Sequence, residues 1–210
     1  MGKQRPLLAS AMAVAGVAGL YRWVVRPRLY TWGATAEEVA AVLPGDELVR
    51  AGVPRTTRAL TVDAPAAAVW PWLAQIGEDR AGFYSYDVFE RAVGARIHNA
   101  DVIHPEWQDL RVGDTVWMAR RYGPRASQTV AAIEPGSHLV LMSTGDVERV
   151  RRGEKASGSW AFYLRPQGDR TRLLARGSGG SAGNAGYDIA HFVMERGMLR
   201  GIRERATSTR

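Results

Sequence analysis

The chain has 210 residues, 46% of them hydrophobic and 23% charged, with no cysteine. That length and mix support one substantial core and exclude a disordered, collagen-like or disulfide-stapled protein, a thiolate metal site and a cysteine nucleophile. The net charge of +7 hints at nucleic acid, but residues 1–28 hold Lys3, Arg5, Arg22, Arg26 and Arg28 and no acidic residue, leaving 23 basic and 21 acidic side chains beyond. The remainder is nearly balanced, so no nucleic-acid partner is expected.

Pro6 to Tyr21 is uncharged and rich in Ala, Val and Leu. With Arg22 snorkelling, the run reaches Val25, about 20 residues or roughly 30 Å of helix, the apolar width of a bilayer. Residues 1–28 are therefore expected to be a single-pass membrane anchor with the following domain on the cytoplasmic side. A cleaved signal peptide, with Ala13-Val14-Ala15 as a processing site, and a hydrophobic helix docked on the domain are the competing readings. Residues 29–55 read as a lead-in, in which Thr35-Ala36-Glu37-Glu38 is a capping box opening a short helix to about Leu43. Pro44-Gly45 stops it.

The main domain spans 56–210. A strand starts near Thr56, and Asp63-Ala64-Pro65 opens a helix in which Val69, Trp70, Leu73 and Ile76 recur at helical spacing around an internal Pro71. A second helical stretch covers Tyr86–Val93. From Thr115 the period becomes two: strands are predicted at Thr115–Met118, Gln128–Ile133, His138–Ser143, Ser157–Arg165 and Arg170–Arg176, joined in part by turn-rich links at Pro135-Gly136 and Pro166-Gln167-Gly168-Asp169. Gly177 to Gly186 reads as a flexible loop hinging a terminal helix from about Asn184 to Ala206. Its apolar stripe is Ile189, Phe192, Val193, Leu199, Ile202 and Ala206. The expected fold is α+β: a curved antiparallel sheet wrapped around a long C-terminal helix, preceded by the N-terminal hydrophobic helix.

Val62-Asp63-Ala64-Pro65 followed by Val69 to Gly77 resembles the opening of START-like helix-grip proteins, the SRPBCC superfamily. Arg80 to Asp87, His98 to Asp101, Pro105 to Gln108, Val112-Gly113-Asp114, Ser159 to Phe162 and Thr171 to Arg176 extend the likeness. Together they are similar to the bacterial polyketide cyclase/dehydrase-like subfamily. The resemblance implies a deep apolar cavity between sheet and terminal helix, without naming its ligand.

The candidate function is binding of a small hydrophobic molecule: a lipid, an isoprenoid quinone or a polyketide-like ring system. Trp117, Trp160, Phe162, Phe192 and Met198 are candidates for the apolar wall. Tyr86, Glu90, His98 and Trp107 are candidates for the polar or aromatic mouth. A cyclase or dehydratase using His98 or Glu90 as acid or base is the alternative, and a protein-interaction module at the membrane a further one. Caps and ring packing explain the polar residues of 84–114 more simply than catalysis. His98, Asp101, His104 and Glu106 lack metal-site spacing, and Gly177-Ser178-Gly179-Gly180-Ser181-Ala182 lacks the following parallel strand that a dinucleotide site needs, so neither metal nor cofactor is expected. Arg120, Arg121 and Arg125, and Arg149, Arg151, Arg152 and Lys155, read as basic clusters in solvated loops.

Overall fold

The computed structural model of the chain describes residues 16, 18–86, 98–180 and 182–208. Six strands, β1 (Arg55–Val62), β2 (Thr115–Trp117), β3 (Ser127–Glu134), β4 (His138–Met142), β5 (Gly158–Gln167) and β6 (Arg170–Gly179), form one antiparallel sheet in the order β1-β6-β5-β4-β3-β2. A π-helical turn at Tyr21–Val25 runs into α1 (Arg26–Tyr30). It is followed by α2 (Ala36–Ala40), α3 (Ala66–Ala74), α4 (Thr144–Arg151) and α5 (Ala185–Ser208). The long α5 packs on one face of the sheet, giving the expected α+β helix-grip arrangement.

Side-chain alternation along the strands divides the core in two. Leu60, Val62, Phe162, Leu164, Leu173 and Ala175 face α3 and α5, where they meet Leu73, Ile76, Met198, Leu199 and Ile202. Ala59, Ala161, Tyr163, Leu174, Val140 and Met142 face the other way, under Leu43, Val49 and Val147. Each fully buried Leu, Ile or Phe contributes about 1.5–3 kcal/mol. The sheet is thus covered on both sides, which is why Leu173, Leu174, Ala175 and Arg176 are all buried. Close approach depends on glycine at one point above all: a Cβ on Gly201 of α5 would lie 2.2 Å from the Tyr84 carbonyl oxygen. That contact lets the helix rest directly on backbone.

Local expectations are met at α2, where Thr35 accepts from the Glu38 N–H and the Glu38 carboxylate accepts from the Thr35 N–H. The helix stops at Ala40 rather than Leu43, because Ala41 turns extended. α3 begins at Ala66, with Pro65 at its N-cap. Residues 87–97 lie outside the described residues, and with them most of the helical stretch expected at Tyr86–Val93. Gly177–Gly179 continue β6 in register with β1 and β5, which shortens the expected glycine-rich loop to the turn before α5. Arg149 and Arg151 lie on a helix, α4, whose N-cap Ser143 accepts from the Asp146 N–H.

The membrane anchor is the main correction. No helix among the described residues is long and apolar enough to cross a membrane, which overturns the expected single-pass anchor, the membrane localisation and the membrane partner. Residues 1–15 and 17 of that segment lie outside the described residues. Its described end is held by polar contacts to protein instead. The Tyr21 and Tyr30 hydroxyls both donate to the Asp188 carboxylate at 2.9 and 3.0 Å, and the Arg26 guanidinium lies 3.7 Å from Asp188 and 4.7 Å over the Tyr30 ring. Burial and the Asp188 carboxylate push the Tyr21 phenol up to about 12, so it remains a donor.

Candidate functional site

The β4–β5 ladder ends at Leu141↔Trp160. Beyond that pair β4 turns away into α4, while β5 reaches back to Gly158 alongside Gly179 of β6. A cavity of about 250 Å³ occupies this parting. Its wall takes Thr56 and Arg58 from β1, Ser157 to Trp160 around the start of β5, Gly177 to Gly179 of β6, Ser143 and Asp146 at the start of α4, and Tyr187, Asp188 and His191 from the first turns of α5. Rings and glycine backbone supply its apolar surface. Hydroxyls and charged groups supply the rest.

Arg58 of this wall belongs to a fully buried ion pair. Arg58 Nη1 donates to Glu195 Oε2 at 2.6 Å, with both side chains withdrawn from solvent. The Trp160 indole N–H donates to the other Glu195 oxygen at 2.7 Å. Arg58 Nε donates to the Leu29 carbonyl at 2.7 Å, and its guanidinium carbon sits 5.4 Å from the Phe192 ring. Burial would raise the Glu195 carboxyl, but His191, the Arg58 charge and the two hydrogen bonds outweigh it and hold it below the usual carboxylate range.

His191 Nδ1 lies 3.0 Å from Arg58 Nη1. A guanidinium only donates, so Nδ1 accepts and the proton of the neutral ring sits on Nε2. Burial pushes His191 below its ordinary value of 6.5, with Arg58 acting in the same direction and Glu195 and Asp188 against it. The sign of the linkage follows. Below about pH 6.5 an unfolded His191 takes up a proton that the folded ring refuses, so stability falls as the pH drops from there toward the lower folded value. Glu195 and Asp146, both held below their ordinary values of 4.5 and 3.8, add a second loss at more acid pH. Thermal melts from about pH 7.5 down to about pH 2 should show both limbs, and His191→Gln should remove the first while keeping the second. An unchanged first limb in the variant would rule out His191 as its source.

The sequence-nominated residues are scattered by the fold. Trp160 lines the cavity, and Phe192 lies beneath the Arg58 guanidinium with its edge toward Trp32. Phe162, stacked edge-on to Trp160 at 4.7 Å, and Met198 are buried in the core. Tyr86 packs over Gly197 of α5. Trp107 stacks on His104 at 4.1 Å, and Trp117 on the edge strand carries the Arg120 guanidinium. His98 is exposed, and Glu90 lies outside the described residues. Arg58, His191 and Glu195 escaped sequence reading. The i, i+4 spacing of His191 and Glu195 on one helix face was the available signal.

Beneath α5, Phe162, Leu73, Leu173, Met198 and Leu199 are each less than 2% exposed. The cavity lies to one side, at the strand parting, and is more polar. No protein-family model matches the chain, and no curated protein matches it. Solved structures follow a similar chain path. They include MLL2253 from Mesorhizobium loti (14% identical, TM-score 0.42, covering 75% of this chain and 99% of that one). NE0264 from Nitrosomonas europaea is 12% identical with a TM-score of 0.48, covering 80% and 100%. An AHSA1-like protein from Aeromonas hydrophila is 11% identical with a TM-score of 0.41, covering 73% and 93%. The fold assignment rests on the strand order and the helix placement described above.

Proposed function

We propose that the protein binds a small, ring-bearing molecule in the cavity at the parting of β4 and β5. The observation that carries this reading is the wall itself. The Trp160, Tyr187 and His191 rings adjoin a buried Arg58–Glu195 pair around about 250 Å³ of space. Binding sites combine an apolar lining with a few fixed polar groups in this way. The volume falls just under the usual ~300–1,000 Å³, which favours a polyketide-like ring fragment over a long acyl or isoprenoid chain. Among the residues nominated from sequence, Trp160 is retained as a ligand-binding residue.

Binding is favoured over proton transfer by one contact. The Nδ1 lone pair of His191, which a general base would use, already receives the Arg58 N–H. Trp160 reports the outcome directly. Native mass spectrometry of detergent-free protein should show one small-molecule adduct that Ser159→Trp, filling the cavity, abolishes without loss of the folded circular dichroism spectrum. Bare protein mass, together with no uptake from a panel of one- and two-ring compounds, would overturn the reading.

A further inference from the structure

We infer that the ligand presents a neutral oxygen acceptor, the carbonyl of a ketone, quinone, ester or amide attached to a ring, to the Arg58 guanidinium. This rests on the small-molecule reading above and specifies its chemistry. The hydrogen-bond balance of the wall carries it. Asp146 accepts from the Ser143 hydroxyl and from both the N–H and the hydroxyl of Ser157. Asp188 accepts from Tyr21, Tyr30 and the Gly183 N–H. Glu195 accepts from Arg58 and Trp160. The carboxylates of the wall, and Glu195 beside it, are therefore supplied by the protein's own donors.

One obligate donor is left over, Arg58 Nη2, beside a hydroxyl that can donate or accept. Arg58 Nη2 and Ser178 Oγ are buried without a hydrogen-bond partner, and both residues form part of the wall. Arg58 has committed Nε to Leu29 and Nη1 to Glu195 and His191. A site with a donor to spare is completed by a ligand that brings an acceptor.

Charge decides which kind. The positive charge of Arg58 is already matched by Glu195 at 2.6 Å. A ligand carboxylate would set a second buried anion beside Glu195 with no new cation to meet it. A neutral carbonyl takes the Nη2 hydrogen without that cost. Nη2 is covered, so its use requires a side chain of the wall to shift, and the stacked Tyr187 and His191 rings, 5.3 Å apart on the first turns of α5, are the wall's rings on that helix. The positive-φ glycines Gly179, Gly180 and Gly183 immediately precede that segment, and its turn geometry is suited to such a displacement.

Three naphthalenes of similar size test this on the full chain: 1-acetylnaphthalene, 1-ethylnaphthalene and 1-naphthoate, titrated by calorimetry. The ketone should bind about tenfold or more tightly than either of the others, the value of one net hydrogen bond to a charged donor. Arg58→Lys, which keeps a cation but removes Nη2, should lower the ketone to the level of the hydrocarbon. The carbonyl stretch of bound 1-acetylnaphthalene reads the same contact without substitution, and should shift to lower frequency in the wild-type protein. Equal binding of ketone and hydrocarbon, preference for naphthoate, or an unshifted stretch would overturn the inference and leave the cavity reading standing. If none of the three binds, the cavity reading itself falls.

Discussion

Replacing Arg58 by methionine is expected to destabilise the protein by about 3–5 kcal/mol, read as a lower urea midpoint at unchanged slope. Arg58 and Glu195 are both out of reach of solvent and joined at 2.6 Å. Without the guanidinium, Glu195 would be a buried carboxylate held by the Trp160 indole alone among its two close donors. The carboxyl would have to accept a proton or admit water. The cost of the single change is therefore mostly that of an abandoned charge, not the net worth of the pair. Arg58→Met combined with Glu195→Met should recover most of the loss, because the double variant strands neither charge. A single variant as stable as the wild type would show that the pair is not ionised as described.

Arg176→Met is expected to cost a similar 3–5 kcal/mol, for a different structural reason. Arg176 is fully buried on the opposite face of the sheet. Its Nη1 donates to the Ala41 carbonyl at 2.8 Å and to Asp46, and its Nη2 to the Glu38 carbonyl at 2.8 Å. Nε donates to the Thr57 hydroxyl. One side chain thus satisfies carbonyls left open where the five-residue helix α2 ends, and ties the segment 36–46 to the sheet. Hydrogen exchange should locate the damage: protection in residues 36–49 should fall further than in β5 or α5. Arg176→Lys should rescue little, since an ammonium cannot reproduce the planar fork that serves carbonyls and carboxylate together. Uniform loss of protection along the chain would contradict this local role.

Much of the architecture was readable from pattern alone. The period-two runs after Thr115 and the apolar face of Trp160, Phe162 and Leu164 identify strands, because burying one face of a sheet demands alternation. The capping box at Thr35–Glu38 and the terminal helix follow from equally local chemistry. Helix α4 carried the same kind of signal, a serine three residues before an aspartate. Its dense run of arginines invites a loop reading, and nothing local shows that Val147 packs under the sheet. Gly177–Gly179 mislead in the opposite sense. Glycine favours turns, yet here β5 pairs with all three residues and β1 with Gly177 and Ser178.

The N-terminal segment shows where composition stops being informative. An uncharged, moderately apolar helix can enter a bilayer or lie on a protein, and its hydropathy is the same in either case. The contacts of Tyr21, Arg26 and Tyr30 with Asp188 at the end of that segment join partners separated by about 160 residues of chain, so no local pattern records them. The candidate site has the same character. Arg58, His191 and Glu195 come from the first described strand and the last helix, so no local motif records them.

The +7 charge is a property of the sequence by itself, as are its concentration before residue 29, the absence of cysteine, the strand and helix periods and the α+β class. Local propensity and hydrophobic alternation act over a few residues, so they are legible without knowing what any element touches. The placement of the cavity at the β4–β5 parting and the pairing of a buried arginine with a buried glutamate were decided by tertiary structure. Each depends on side chains distant in sequence being brought within hydrogen-bonding or van der Waals range. At that range burial converts an ordinary charged residue into a group that must find its partner.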